Sequence, residues 1–429
     1  MLFLKNLVNN TKKIMKQEFL KDNRPWVVTF SGGKDSTTVL HLTIEMLLEL
    51  PKEKRKKVFI VASDTLVEMP VITDYFYNKI NQIKKFIERE KLDIEIKVLK
   101  PEIEDTFWTL LIGKGYPSPN TSFRWCTERL KIKPATKYLT SLSYKYKSII
   151  MLLGVRKDES NTRKKSIEKR ELNFRGFNKH NSIPNAFTFS PIKDWSNEEV
   201  WTFLSQNPAP WGSHEDMMKL YKKGSGEADC NIALNPDSPS CGKTRFGCWV
   251  CTVVNKDKSM ENMLTTEKWM KPLNEFRNLI LEYRNDPSKR NKRRRNGERA
   301  PGPYTLEVRK ELLERLLKIE NEIKDKLGDK KLILDEEILQ IQREWEKDGD
   351  FLNSAIEIAK KYKRDVKYLS FNALGEEEKN ICFKYKLTPN FINKILEKEY
   401  NARGLIRRNI YKELDEIVTS FAKGKINDN

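Results

Sequence analysis

The chain has 429 residues, with 81 Lys and Arg against 61 Asp and Glu and a formal net charge of +20, so a bland neutral globule is excluded. With 38% hydrophobic and 10% aromatic residues there is ample apolar material for a core, which excludes wholesale disorder. The excess charge therefore sits on a folded surface that favours polyanions: nucleic acid, nucleotides or acidic membrane.

Taken in order, the N-terminal MLFLKNLVNNTKKIMKQEFL is short of a signal-peptide core and has no small-residue cleavage site. The longest apolar runs, residues 58–62 and 148–155, fall far below the roughly 20 residues of a membrane span. A cytoplasmic protein that does not enter the membrane is expected. Residues 1–205 alternate β-branched runs with helical stretches, the pattern of an α/β fold with a doubly wound parallel sheet. WVVTF (26–30), VFIVAS (58–63), IEIKVL (94–99) and SIIMLLGV (148–155) read as strands, and TTVLHLTIEMLLEL (37–50) and the segment starting VITDYF as helices. Ser196 and Glu199 form a predicted capping box before another helix. Periodicity then gives way to a Cys-rich segment at 206–283. A basic linker at 284–306 contains eight basic and two acidic residues between 284 and 299, and a helical module follows at 307–429.

Immediately after the first strand stands Ser31-Gly32-Gly33-Lys34-Asp35-Ser36-Thr37. A Gly-rich turn between a parallel strand and a helix exposes successive N–H groups to an anion, which makes this a pyrophosphate cradle. The glycines admit the phosphate, the three hydroxyl residues and Lys34 donate to it, and Asp35 caps the helix or holds Mg²⁺. Asp64, after the second strand, is placed to meet ribose, adenine or metal, or simply to cap a helix. Arg156, at the end of a later strand, can reach nucleotide phosphates. A Walker loop ending at Gly242-Lys243-Thr244 fails, because Asp237 stands where its first glycine is required.

Four of the six cysteines, Cys230, Cys241, Cys248 and Cys251, lie within 22 positions. Their number suits Zn²⁺ or an iron–sulfur cluster, and free thiols remain the alternative. Trp249, Phe246 and Val250 would shield the site. Cys126 lies among Arg124, Arg129 and Lys131, surroundings expected to lower its thiol pKa and allow it to carry a persulfide; the other reading is an ordinary half-buried cysteine. Of the three histidines, His41 reads as core, and His214 has no partner at metal spacing. His-based metal catalysis and a Ser-His-Asp triad are therefore not expected.

The SGGKDS loop resembles the PP-loop of ATP pyrophosphatases and sulfate-nucleotide reductases, as do GVRKDES (154–160), with its Gly154, and FSPIKDWSNEEVWTFL (189–204). Together with DTLVEMPVI, FRWCTERLKIKP, NPAPWG and PSCGKTRFGCWVCTVV, the chain over residues 26–304 resembles the DndC family of bacterial DNA phosphorothioation, with Ssp-type phosphorothioation proteins as near relatives. That resemblance implies ATP pyrophosphatase activity and a [4Fe–4S] cluster on Cys230, Cys241, Cys248 and Cys251. It also implies ATP and Mg²⁺ on residues 31–37, Asp64, Gly154 and Arg156. The partners it implies are DNA, a cysteine desulfurase as sulfur source and the other Dnd subunits. The chain lacks the reductases' ECGLH-like tail, and where cluster-bearing reductases pair cysteines it has only Cys126.

The expected chemistry activates a DNA phosphate by adenylation and then replaces a nonbridging oxygen by sulfur, with Lys34, Asp35, Arg156 and Cys126 catalytic. The alternatives are a PP-loop tRNA thiolase, a reductase of an adenylyl-sulfate nucleotide, and a zinc-structured DNA-binding sensor without turnover. Residues 161–180, with seven Lys/Arg, two acids and Phe174 and Phe177, and the run 284–299 are candidate DNA contacts or solvated segments.

Overall fold

The computed structural model describes residues 2–159, 177–225, 246–366, 382, 384–401 and 410–423. These fall into two compact units, residues 1–101 with 120–274 and residues 102–119 with 275–429.

The first unit is built on a six-stranded sheet: β1 (Trp26–Phe30), β2 (Val58–Ser63), β3 (Ile94–Leu99), β4 (Ile149–Leu152), β5 (Asn178–Lys179) and β6 (Ala186–Phe189). Its order is β3-β2-β1-β4-β6-β5. Every pairing is parallel except β5 with β6. The chain winds outward from β1 through β2 to β3, then returns to place β4 on the other side of β1. That reversal makes the crevice between the carboxyl ends of β1 and β4 the place where a parallel sheet binds ligands. Both faces are buried at β1, β2 and β4, as parallel sheets require, while the edge strand β3 leaves Glu95 and Lys97 exposed. Trp26, Val28 and Phe30 point into one apolar cluster, while Val27 joins Phe59, Val61, Ile149 and Met151 in another.

Helices α1 (Leu2–Leu20), α2 (Lys34–Glu49) and α3 (Pro70–Arg89) accompany the first strands. A short helix α4 (Trp125–Thr127) continues through a wide π turn at Glu128–Ile132 into α5 (Lys133–Lys145). Then come α6 (Asn197–Gln206), α7 (Glu215–Ser225) and α8 (Lys258–Thr266). The predicted Ser196–Glu199 capping box is present at α6. The strand expected over 148–155 is shorter, because its last residues turn away to form the crevice wall.

The second unit is helical. α10 (Leu306–Glu322) and α12 (Asp335–Lys347) pack with the inserted segment 102–119 and with α13 (Ser354–Lys361); α9 (Lys271–Asn285), the four-residue α11 (Lys324–Leu327), α14 (Pro389–Asn401) and α15 (Ile410–Ala422) complete the order among the described residues. Two buried indoles fix that insert: Trp108 Nε1 donates to Leu332 O at 2.7 Å, and Trp345 Nε1 to Ile112 O at 2.9 Å. The linear boundaries expected from composition do not anticipate this insert. The described residues 206–225 and 246–274 fall in the unit that holds the sheet. No helix among the described residues is long and apolar enough to cross a membrane.

Candidate active site

The loop after β1 is shaped for an anion. Gly32 has φ +74°, the left-handed conformation glycine adopts without strain. Gly33 caps α2 without a side-chain hydrogen bond, so the N–H groups of the first turn are not closed off by their own cap. Ser31 and Ser36 hold the turn through a 3.0 Å hydroxyl contact, and the Ser36 hydroxyl donates to Gly33 O at 3.0 Å. Two tyrosines not singled out in the sequence clamp the loop from other helices. Tyr75 Oη donates to Gly32 O at 3.1 Å, and Lys34 N donates to Tyr221 Oη at 3.4 Å. Thr37 is buried, and its hydroxyl has no hydrogen-bond partner among the described residues.

Charge in the crevice is organised by Asp35. Its carboxylate meets Lys34 Nζ at 2.7 Å and Arg156 Nε at 2.6 Å. Arg156 is 2% exposed and also donates to Trp195 O at 3.3 Å. It is thus engaged inside the protein, with its guanidinium holding Asp35. Gly154 brings the wall of β4 against the loop: a Cβ there would lie 2.8 Å from Asp35 C and Ser36 N. Asp64 is also occupied, accepting from Leu66 N at 2.8 Å and from Tyr77 Oη at 2.6 Å. Burial and that carboxylate push the Tyr77 phenol above its ordinary value.

These groups line a cavity of about 840 Å³, ample for a nucleotide, which also takes in Glu68, Lys131 and Phe246. Ser31 to Ser36, Asp64, Gly154 and Arg156 all reach it, whereas Thr37 does not. Its far wall connects to the cysteines. Cys248 forms an antiparallel bridge with Glu68, and Trp249 N donates to Val67 O at 3.1 Å. The Cys248 thiol lies 3.4 Å from Thr65 Oγ1 and 3.8 Å from Glu68 Oε1. Lys131 Nζ, on the π turn, stands 3.5 Å from the same Glu68 carboxylate. Burial would lower the Lys131 ammonium, but Glu68 and the thiols of Cys248 and Cys126 raise it overall.

Cys126 comes within electrostatic reach of Cys251. The expectation that basic neighbours lower its pKa is corrected: burial, with Cys251 adding to it, pushes the Cys126 thiol up, and a hydrogen bond with Thr127 offsets this only in part. Burial and Glu68 likewise push the Cys248 thiol up. Cys230 and Cys241 lie outside the described residues, as does most of the basic segment 161–180. Among the described residues no group of three or more His, Cys, Asp or Glu is arranged to hold a metal ion. His214 does have a partner: its Nε2 lies 3.3 Å from Nδ1 of the buried His41, and burial with that neighbour lowers its pKa to about 3.

Tyr75 and Tyr221 carry no local motif; Phe246, expected as a shield of the cysteines, also reaches the cavity, and Glu68 stands inside DTLVEMPVI without a role of its own there.

Residues 25–254 match the family model described as phosphoadenosine phosphosulfate reductase domain. The uncharacterized protein MJ0066 of Methanocaldococcus jannaschii is 28% identical over 276 residues, covering 63% of this chain and 46% of that protein. A second protein of the same organism, uncharacterized protein MJ0973, is 31% identical over 212 residues, covering 49% of this chain and 42% of its own. The chain thus spans less than half the length of these curated relatives. Among solved structures, the U34-tRNA thiolase NcsA from Methanococcus maripaludis with its [4Fe-4S] cluster is 16% identical, with a TM-score of 0.32, covering 66% of this chain and 79% of that one. A likeness of that size does not bear on function.

Proposed function

The chain belongs to the phosphoadenosine phosphosulfate reductase domain family, and on that premise we propose that it is an ATP pyrophosphatase that moves sulfur onto the DNA backbone. One observation carries the reading. The Cys248–Cys251 turn is bonded to residues 65–68, and Glu68 from that segment lines the same cavity as the SGGKDS loop. Glu68 and Lys131 thus form a wall shared by the cavity and the turn, which supports sulfur handling next to nucleotide cleavage.

A phosphodiester repels nucleophiles and oxide is a poor leaving group, so activation comes first. A nonbridging oxygen of the DNA phosphate attacks the α phosphorus of ATP and pyrophosphate leaves, giving a DNA–AMP adduct. The terminal sulfur of a Cys126 persulfide, loaded by a cysteine desulfurase, then attacks the DNA phosphorus and AMP leaves. A thiol reductant supplies two electrons that cleave the S–S bond, freeing the phosphorothioate and the Cys126 thiolate. Lys34, which faces the cavity, balances charge on the departing phosphates. Arg156 keeps Asp35 in position, and Asp35 and Asp64 are the carboxylates that would hold Mg²⁺. The Cys248–Cys251 turn fits a thiophilic centre: two soft donors lie in one turn, shielded by Trp249 and Val250 at 2% and 1% exposure. With Cys230 and Cys241 they would hold a [4Fe–4S] cluster, which supplies electrons when bound.

The test uses the full chain purified without air, with a cysteine desulfurase, cysteine, a thiol reductant, ATP, Mg²⁺, DNA and the companion Dnd subunits. Release of AMP and pyrophosphate together with phosphorothioate linkages in nuclease digests is the expected result. Thionucleosides formed in tRNA instead would redirect the reading to a tRNA thiolase, and sulfite released from an adenylyl-sulfate nucleotide to a reductase.

A further inference from the structure

The basic run in the second unit is an ordered loop whose ends are bonded to each other. Arg290 and Tyr304 form an antiparallel bridge, Asn291 N donates to Pro303 O at 2.9 Å, and Gly302 N donates to Asn291 O at 2.8 Å. The Arg290 guanidinium ties the base by donating to Gly302 O at 2.7 Å and Pro301 O at 2.9 Å. At the tip Gly297 N donates to Arg294 O at 2.9 Å, and Arg294 N to Glu298 O at 3.0 Å, with Gly297 at φ +86°. The fold-back is so close that a Cβ on Gly302 would stand 1.9 Å from Arg293 O.

All of residues 291–299 are exposed, and they carry five basic groups against one acidic group. Two of the five are steered by carboxylates: Arg294 pairs with Glu298 and Arg295 with Asp348, each at 3.0 Å. Among the described residues Lys292, Arg293 and Arg299 have no carboxylate partner. Like charges held together on a closed backbone repel one another, and a small anion relieves only one or two of them. A chain of regularly spaced phosphates relieves several at once, with guanidinium groups matching phosphate oxygens in pairs. An acidic protein partner fits less well, because protein interfaces centre on aromatic or aliphatic anchors and residues 291–299, NKRRRNGER, offer none.

We infer that the loop 291–299 is a docking surface for the phosphodiester backbone of a nucleic acid, engaged through Lys292, Arg293 and Arg299. This surface lies in the second unit and does not depend on the chemistry proposed for the first.

The experiment measures fluorescence anisotropy of the full chain with a labelled DNA duplex, a folded tRNA and a polyglutamate peptide, between 50 and 200 mM salt. The triple variant K292A/R293A/R299A removes three phosphate contacts. On DNA it is expected to reduce the log–log salt slope by about 2.7, making the affinity lost across that range about 40-fold smaller than in the parent. Gly302→Ala keeps every charge but displaces the fold-back, and it is expected to weaken binding while the melting profile of the chain stays cooperative. The DNA and tRNA arms identify which polymer supplies the phosphates. An unchanged affinity and slope in the triple variant would overturn the inference, as would polyglutamate binding as tightly as either nucleic acid. The assay reads binding alone, so its outcome stands apart from whether ATP is cleaved.

Discussion

Asp35 Oδ1 lies 2.6 Å from Arg156 Nε, across 121 positions of sequence, and ties the end of β4 to the start of α2. Arg156 is thereby a positioning residue. Arg156→Ala leaves a partly buried carboxylate with Lys34 alone, and breaking a buried pair from one side costs about 3 kcal/mol. We expect a lowered melting temperature together with reduced pyrophosphate release. A variant melting like the parent would show that the pair does not brace the loop.

Lys34 is the cation of the loop that faces the cavity. Lys34→Ala should cut pyrophosphate release by about 10²- to 10³-fold, the usual effect of deleting one charge-stabilising donor, while iron content stays at the parent level. Parallel assays of pyrophosphate and iron separate loss of chemistry from loss of fold.

Gly154 serves by what it lacks. Its missing Cβ would stand 2.8 Å from the backbone of Asp35 and Ser36, so Gly154→Ala must push the loop away. Overpacking of this kind costs about 1–3 kcal/mol. The expected kinetic signature is a raised KM for ATP, since the cradle is displaced while the Lys34 side chain remains.

Cys251→Ser should lower bound iron measured after anaerobic purification, because it removes one of the two thiols in the turn on Glu68. A full iron complement in this variant would take Cys251 out of the ligand set.

Glu337 gives a pH prediction for the second unit. It is 1% exposed, and burial pushes its carboxyl from 4.5 up to about 7. A raised folded-state pKa means the native chain holds a proton that the unfolded chain releases. The stability is therefore fully present below pH 4.5, declines up to about 7 and stays flat above. Glu337→Gln should lose this slope, so that it gains stability over the parent at pH 8 and not at pH 4. Melts at both values check it.

β1 and β2 were legible because buried parallel strands are written as near-continuous apolar runs, and β3 because Ile94, Ile96 and Val98 alternate with the exposed Glu95 and Lys97. The loop was legible because an anion cradle needs glycine and hydroxyl residues in one short stretch. Tyr221 was not, since it reaches the cavity by packing between distant segments, edge-to-face on Phe246 with ring centroids 5.0 Å apart, and the cysteine motif that holds Phe246 says nothing of the cavity. The Cys126 environment differs from the expectation because sequence shows charge but not packing: Arg124 is exposed, and desolvation outweighs the charges beside the thiol. The membership of residues 102–119 in the second unit was hidden for the same reason, because its anchors are indole bonds to Leu332 and from Trp345.

β1 and β4 are joined rung by rung, Trp26 to Ile150, Val27 to Met151 and Val28 to Leu152. The two walls of the cavity hang from these neighbouring rails. A change elsewhere that tilts the pair carries both walls along and leaves their spacing intact, whereas a residue inserted into either rail would shift one wall against the other. Tolerance to variation should accordingly be broad over the outer helices and abruptly narrow within these few rungs.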